Sequence, residues 1–234
     1  MGRSEVEGVP GDGPWQTARQ RYGPGVDVRR ATADDVDDLV AVLARAFDDD
    51  PVSMYLFGRS RARRRGLRTF FRIQLRRLLA GAGEVWTTST CTGAALWVPS
   101  GPPATAGWRD VVRLLPVAAD LVAGGRPGPA VRLLADIERS RPTDPHWYLA
   151  TIGTDPPSQG HGVGTALLST VLRTVDAQGM PAYLESSKER NVPFYARHGF
   201  EVTSTLTSAD GEVTLWLMWR APQSVDAAGD GRGR

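Results

Sequence analysis

The spacing of hydrophobic residues changes along the chain between a period of two and a period of about 3.6, and each change marks a predicted element. Alternating hydrophobic positions predict strands at 26–31, 85–89, 94–98, 148–154, 181–186, 200–207 and 212–219. Helical spacing predicts helices at 36–47, 61–80, 108–123, 128–139, 165–178 and 191–198. This order of elements is typical of a mixed α/β domain with a partly antiparallel sheet.

Capping and turn residues support these bounds. Thr32 has the composition of an N-cap for the first helix, and Pro51 is expected to end that helix. A loop rich in proline and glycine, 155–164, separates a strand from the next helix. Asp210 and Gly211 form a hairpin signal between the last two strands.

The two ends of the chain differ in composition from the part between them. Residues 1–25 are rich in glycine and proline, and so are residues 221–234, which leaves too little apolar surface to offset the chain entropy lost on ordering. We therefore expect a flexible N-terminal arm, one folded domain at 26–220 and a flexible C-terminal tail.

Composition and charge narrow the classes of function. Of the 234 residues, 41% are hydrophobic, which is enough for one ordinary globular core. The formal net charge is only +2 and the basic residues are spread along the chain, so we expect no nucleic-acid partner. The densest basic stretch, 59–77, carries hydrophobic residues at helical spacing, which predicts a solvated helix face. No apolar run approaches the roughly 20 residues of a membrane span, so the sequence predicts a cytoplasmic protein without a membrane partner.

Metal-binding and thiol chemistry have little support. Cys91 is the single cysteine, which excludes an intramolecular disulfide, and we expect it to be a small buried hydrophobic residue. The three histidines are widely spaced along the chain. The sequence therefore predicts no metal site.

The strongest chemical signal is the run Gln159, Gly160, His161, Gly162, Val163, Gly164 and Thr165, between a predicted strand and the first turn of a helix. Glycines at such a point let several backbone N–H groups converge, and the helix start adds positive dipole character, so the run is suited to phosphate oxygens. A structural turn would explain the same glycines. A dinucleotide-binding fingerprint with Glu185 as its acid is a further alternative, although 155–158 separates the glycines from the strand.

The same run fits the Q/R-x-x-G-x-G/A loop of the GNAT superfamily of acetyl-coenzyme A-dependent N-acetyltransferases. Runs at 146–154, 182–187 and 191–200 extend the match, and they resemble most the branch of the superfamily that acetylates puromycin. Element order supports the resemblance over 26–220, whereas 99–145 carries no signature and is where acceptor specificity would lie. The resemblance implies the GNAT fold, with a mostly antiparallel mixed sheet flanked by helices and a splayed central strand pair that forms the acetyl-coenzyme A cleft.

The resemblance also implies how acetyl-coenzyme A binds. The backbone of 160–165 would hold the pyrophosphate, with Gln159 and His161 in the same loop. The strand edge formed by Ile152, Gly153 and Thr154 would pair with the amides of the pantetheine arm. Asn191 is either a helix cap or a further contact to that arm. His161 departs from the lysine or arginine that is common in the family, so we expect affinity to depend more on the backbone.

Two residues are candidates for catalysis. Tyr195 aligns with the tyrosine that protonates the coenzyme sulfur in many relatives, and the alternative is a core aromatic residue. Glu185, on a strand facing the implied cleft, is the candidate general base, and the alternative is a structural or substrate-pairing carboxylate. His198 is expected to decorate a helix end.

The sequence thus predicts transfer of an acetyl group to the amine of a small molecule, such as an aminonucleoside or another amine antibiotic or metabolite, by direct attack in a ternary complex. An antibiotic-resistance or detoxification role follows by analogy with the family. Acetylation of a protein N-terminus or lysine, and a non-catalytic coenzyme A-binding regulatory module, remain open alternatives. A monomer and a homodimer are equally compatible with the sequence.

Overall fold

One eight-stranded sheet forms the centre of the molecule, in the order β1-β2-β3-β4-β5-β6-β8-β7. The computed structural model describes residues 20–22, 25–58, 60–99, 119, 121–123, 125 and 127–223. The strands are β1 (Gln20–Tyr22), β2 (Val26–Arg30), β3 (Glu84–Thr88), β4 (Gly93–Val98), β5 (Trp147–Thr154), β6 (Ala182–Ser186), β7 (Glu201–Thr207) and β8 (Thr214–Arg220). All the predicted strands are present within one or two residues at each end, and the predicted mixed α/β class is confirmed.

Helices cover both faces of the sheet. They are α1 (Val36–Ala46), α2 (Pro51–Phe57), α3 (Ser60–Arg77), α4 (Pro127–Ser140), α5 (Val163–Ala177) and α6 (Val192–Ala196). One apolar core lies between the sheet and α5, with Leu167, Val171 and Leu184 among its buried residues. A second core lies on the opposite face against α1 and α3 and includes Leu43 and Phe71. The sheet is therefore the middle layer of three.

Helix α2 corrects one sequence-based expectation. Pro51 was expected to end the first helix, and α1 does end before it, but Pro51 also begins a helix. Asp50 is the N-cap of α2, because its side chain accepts a hydrogen bond from the Ser53 amide at 3.0 Å. Proline is favoured in the first helical turn, where its missing N–H has no intrahelical role. Most of the predicted helix at 108–123 lies outside the described residues.

Two further expectations are modified. Gln20–Tyr22, assigned from sequence to the flexible arm, pairs with β2 as an antiparallel edge strand. The remainder of the predicted arm lies outside the described residues, apart from Gly25. Cys91 was expected to be buried but is half-buried in the turn before β4, with a positive φ of 52°. Its thiol lies 3.4 Å from Asp35, and the residue packs against the edge of the second apolar core.

The pairing of β5 with β6 creates the central feature of the sheet. These two strands run parallel but pair at only two positions, Trp147 with Ala182 and Tyr148 with Tyr183. On its other side, β5 pairs with β4 from Tyr148 to Thr154, with a register shift that leaves Ala150 unmatched. Such a bulge bends a strand. Because β6 stays paired with β8 as far as Ser186, the two strands diverge and leave a cleft between them.

None of the helices in the described part of the chain is both long enough and apolar enough to cross a membrane.

Candidate active site

A cavity of about 640 Å³ occupies the cleft where β5 and β6 diverge. Its walls come from β5, the loop after it, the start of α5, the end of β6 and helix α6. The connection between α1 and α2 lines one side. Of the residues predicted from sequence to bind or react, these line it: Ile152, Gly153, Thr154, Gln159, Gly160, Gly162, Val163, Gly164, Thr165, Glu185, Asn191 and Tyr195. Residues separated by more than 40 positions along the chain therefore meet at one place.

The glycine loop has the geometry expected of an anion cradle. Gly160 and Gly162 have φ values of 79° and 81°, in the left-handed region that L side chains rarely adopt. The first hydrogen bond of α5 runs from the Ala166 amide to the Gly162 carbonyl at 2.9 Å. The amides of Val163, Gly164 and Thr165 precede that ladder and so remain available to a ligand at the positive end of the helix dipole.

Contacts behind the loop hold it against the sheet. Gln159 donates a hydrogen bond from Nε2 to the Thr154 carbonyl at 3.1 Å, joining the loop to the end of β5. Asp155, the first residue of the loop, forms a two-pronged ion pair with Arg45 of α1 at 2.7 and 2.8 Å. The cradle is thus attached to both the sheet and α1 before any ligand arrives.

The free edge of β5 provides the second element of a coenzyme site. Beyond Tyr148, the backbone of β5 has no strand partner on the β6 side among the described residues. An extended ligand with amide groups can add to such an edge as a strand would. Gly153 serves packing as well, since a Cβ there would lie 2.9 Å from Leu43 of α1. The edge of β5 that is predicted to bind pantetheine is therefore free to pair with a ligand and packs closely against α1.

Side chains from the α1–α2 connection bridge to the segment that follows β6. Lys188 pairs with Asp49 at 2.6 Å, and Arg190 contacts the same carboxylate at 3.2 Å. Ser187 donates a hydrogen bond to Asp50, which is only 4% exposed and lines the cavity. This bridge could not be predicted from local sequence, because its partners lie 137 and 139 positions apart along the chain.

Tyr195 lies on α6 with its side chain at the cavity wall. It is 7% exposed, and its ring packs between Phe194 and Phe200 at centroid distances of 5.1 and 6.2 Å. Burial raises the pKa of the Tyr195 phenol above its ordinary value, and the charge of Asp50 raises it further. The phenol is therefore protonated across the physiological range and can act as a hydrogen-bond donor.

Glu185 lies on β6 and lines the cavity. The side chain is 6% exposed. One carboxylate oxygen, Oε2, accepts a 2.7 Å hydrogen bond from the Tyr148 hydroxyl, while Oε1 has no hydrogen-bond partner within the described residues. Burial raises the pKa of Glu185, and Arg141 and Tyr148 oppose that increase. A carboxyl group with a raised pKa is a stronger base, which suits proton abstraction.

The remaining predicted residues are placed as follows. Asn191 occupies the N-cap position of α6, but its side chain makes no capping hydrogen bond, which favours the alternative of a ligand contact. His161 is exposed, its Nδ1 lies 2.8 Å from the Gln159 carbonyl, and it does not line the cavity. His198 follows α6, where burial lowers its pKa, and its ring packs on Phe194.

The architecture argues against a dinucleotide-binding fold. Within the described residues, β5 and β6 are the one parallel pair, whereas a doubly wound sheet is mostly parallel. Glu185 also bonds to Tyr148 rather than standing free for a ribose. The glycine loop therefore does not have the geometry of a dinucleotide-binding site.

Comparison with known proteins finds similarity to acetyltransferases. The model of the acetyltransferase (GNAT) family matches residues 126–200, which contain the glycine loop, Glu185 and Tyr195. A Schizosaccharomyces pombe protein described as an uncharacterized N-acetyltransferase is 29% identical over 214 residues, covering 86% of this chain and 85% of that protein.

Solved structures extend the agreement to the fold. A Corynebacterium glutamicum protein described as histone acetyltransferase HPA2 and related acetyltransferase is 27% identical with a TM-score of 0.62, over 85% of this chain and 97% of that one. A Thermoplasma acidophilum N-acetyltransferase solved with coenzyme A shares the fold at 12% identity and a TM-score of 0.53, over 84% and 98% of the two chains. The GNAT family uses acetyl-coenzyme A, and the matched family model, the S. pombe relative and the C. glutamicum structure support an acyltransferase enzyme with the GNAT fold.

Proposed function

We propose that this protein transfers the acetyl group of acetyl-coenzyme A to the amine of a small molecule, in a ternary complex of enzyme, acetyl-coenzyme A and acceptor. The observation that carries the proposal is that one cavity holds the glycine cradle, the free edge of β5 and two buried proton-transfer candidates, Tyr195 and Glu185. Binding groups and reactive groups that share one cavity can hold both substrates in reacting geometry.

The two candidates suit the two proton transfers of aminolysis. The acceptor nitrogen attacks the thioester carbonyl, a C–N bond forms and the C–S bond breaks. Glu185, which lines the cavity, takes the proton that the nitrogen loses, directly or through a water. Tyr195 gives a proton to the departing sulfur, because its phenol stays protonated in its buried position. No covalent acyl-enzyme is needed.

The bridge across the cavity supports a small acceptor. The contacts of Lys188 with Asp49 and of Ser187 with Asp50 connect the α1–α2 connection to the segment after β6. A cleft closed on that side admits a compact amine more readily than a folded protein surface. The resemblance of 146–200 to puromycin N-acetyltransferase motivates aminonucleosides as the first acceptors to test and a resistance role as the biological hypothesis.

The decisive experiment is a thiol-release assay with acetyl-coenzyme A and a panel of acceptors: puromycin, other aminonucleosides, amine antibiotics, polyamines, short peptides with free N-termini and a lysine-rich histone peptide. Release with one of the small amines, and none with the peptides, is the expected result. Release with peptides alone would support a protein acetyltransferase instead, in agreement with the description of the C. glutamicum structure. Coenzyme binding by calorimetry with no release across the panel would indicate a non-catalytic coenzyme A-binding module.

Glu185→Gln tests the base directly. We expect kcat to fall by about 100-fold, which is typical for loss of a general base, with the dissociation constant for acetyl-coenzyme A unchanged. The acidic limb of the pH profile should also lose the step due to Glu185, since protonation of this carboxylate is what removes the base as the pH falls. Glu189→Gln is the matched control, because Glu189 is exposed in the segment after the same strand. Equal kinetics in the two variants would exclude Glu185 as the base.

A further inference from the structure

Two residues of the 141–148 segment, Tyr148 and Arg141, contact the carboxylate of Glu185. Tyr148 donates its hydroxyl to Glu185 Oε2 at 2.7 Å, and its ring lies beside that of Tyr183, with 6.0 Å between centroids. Tyr148 belongs to the last pair of positions at which β5 and β6 still meet. The hydroxyl is therefore held where the cleft begins, within hydrogen-bond distance of the candidate base.

Arg141 completes the arrangement from the end of α4. Its Nη2 donates to the Tyr148 hydroxyl at 3.1 Å, and its guanidinium lies over the Tyr148 ring at 4.4 Å from the centroid. Its Nε lies 3.5 Å from Glu185 Oε1, which is an ion-pair distance but too long for a good hydrogen bond. Glu138 holds the other side of the guanidinium at 2.5 Å. The arginine is thus fixed by three neighbours and is 32% exposed.

We propose that Arg141 and Tyr148 are positioning residues for Glu185: Tyr148 fixes the orientation of the carboxylate through Oε2, and Arg141 orients Tyr148 and keeps the buried carboxylate ionised. This inference rests on the proposed role of Glu185 as general base and concerns how that base is held.

The chemistry of each contact supports a distinct part of this role. A tyrosine hydroxyl has one proton, and here it is donated to Oε2, so the hydroxyl can accept the Arg141 bond at the same time. A carboxylate fixed by one oxygen loses rotational freedom and points the other in one direction. Burial alone favours the neutral acid, and a cation at 3.5 Å opposes that effect. Without the pair, the base would be both less well oriented and protonated up to higher pH.

The titratable groups that face Glu185 are few. Arg141 approaches from the segment after α4, Tyr148 from β5 and Tyr183 from β6, and these are the groups that shift the pKa of Glu185 within the described residues. Leu217 is its partner on β8 and is apolar. A change in the acidic limb of the pH profile can therefore be traced to one of three side chains.

The test compares pH profiles of kcat/KM for Tyr148→Phe and Arg141→Gln with the acceptor found in the panel. Each substitution removes a group that stabilises the ionised carboxylate, so the acidic limb should move to higher pH, by about one pH unit for Arg141→Gln and by less for Tyr148→Phe. At the plateau we expect kcat to fall about tenfold in both, from loss of orientation, with the dissociation constant for acetyl-coenzyme A unchanged. Arg141→Lys keeps the charge, so its acidic limb should lie closer to the wild-type pH than that of Arg141→Gln. It should not restore the plateau kcat.

Controls separate this inference from the proposed function. Arg139→Gln is the matched control for charge, since Arg139 is exposed two residues away and pairs with Asp136 instead. An acidic limb that is lost in Glu185→Gln but unmoved in Tyr148→Phe and Arg141→Gln would overturn the positioning role and leave the base intact. A limb retained in Glu185→Gln would instead overturn the base itself. If Arg141→Gln raised only the KM of the acceptor, Arg141 would be a substrate-binding residue and the inference would be wrong. Tyr148→Phe preserves size and packing, so it carries the test even if Arg141→Gln fails to fold.

Discussion

The two sides of the cleft are built from different chemical groups. One side consists of backbone groups and the other of side chains. The proposed coenzyme side, residues 152–165, offers backbone groups: a free strand edge, two left-handed glycines and the first amides of α5. The proposed acceptor side offers side chains: Glu185 with its partners Tyr148 and Arg141, and Asp50 from the α1–α2 connection. One side is contiguous in sequence, whereas the other is assembled from segments far apart along the chain.

This difference follows from what each side has to recognise. The pyrophosphate and amide groups of a coenzyme are the same for every acetyl transfer, so a backbone site can serve them without a particular side chain. An acceptor amine requires a base, a charge environment and a shape, all of which side chains supply. The coenzyme side should therefore respond to changes in backbone geometry and the acceptor side to the loss of single functional groups.

The largest effect is expected from Gly162→Glu on the coenzyme side. A glutamate there would force an L residue into a φ of 81° and place a negative charge in the cradle meant for phosphate. We expect acetyl-coenzyme A binding to weaken by at least about 1000-fold, or about 4 kcal/mol, when measured by calorimetry.

Gly179→Glu provides a control for backbone strain in that experiment. Gly179 follows the same helix at its other end, has a φ of 63°, and an added Cβ would meet nothing within 4 Å, as at Gly162. Its conformational cost should be similar, about 1–2 kcal/mol of stability, without a change in coenzyme affinity. If both variants bound acetyl-coenzyme A equally well, the cradle would lie elsewhere.

An intermediate effect is expected from Tyr195→Phe, where the two sides of the cleft meet. The ring packing against Phe194 and Phe200 would be kept, while the proton donor for the coenzyme sulfur would be lost. We expect kcat to fall by about 100-fold, with the dissociation constant for acetyl-coenzyme A unchanged within about threefold. Single-turnover kinetics would separate chemistry from product release.

Tyr55→Phe is the matched control for that substitution. Tyr55 is buried to a similar degree, and its hydroxyl bonds to Asp210 rather than lining the cleft. It should leave kcat near the wild-type value. A Tyr195→Phe enzyme as fast as Tyr55→Phe would show that Tyr195 is a core aromatic residue only.

The same difference decides how much could be predicted from sequence. The glycine loop and the strands beside it are local patterns, and the structure places them together as predicted. Tyr195 could be proposed because a family resemblance assigned a role to its position, and Glu185 because its strand faces the implied cleft and the acceptor amine must lose a proton. The partners of Glu185 could not be found in this way, because Arg141 and Tyr148 meet it through the β5–β6 pairing, which no local pattern encodes.

Pro51 shows a second reason why the structure could not be predicted fully from sequence. A proline after a helical run was taken as a stop, but the preceding Asp50 makes it equally a start, and local sequence does not choose between the two. The consequence is functional as well as structural, since the carboxylate that caps α2 also lines the cavity and raises the pKa of Tyr195.

The smallest effect is expected from His161→Ala. This substitution sharpens the comparison because it removes a side chain from the proposed coenzyme side, where binding is expected to rely on the backbone. His161 is exposed and does not line the cavity, and its Nδ1 lies 2.8 Å from the carbonyl of Gln159 in the same loop. If the coenzyme is held by backbone groups, the dissociation constant for acetyl-coenzyme A should change by less than about twofold, as for an ordinary surface substitution. Gln159→Ala is the contrasting variant, because Gln159 lines the cavity and ties the loop to Thr154, and it should weaken binding more. A loss above about tenfold in His161→Ala would mean that the imidazole itself contacts the phosphates and that a side chain, as well as the backbone, holds the coenzyme.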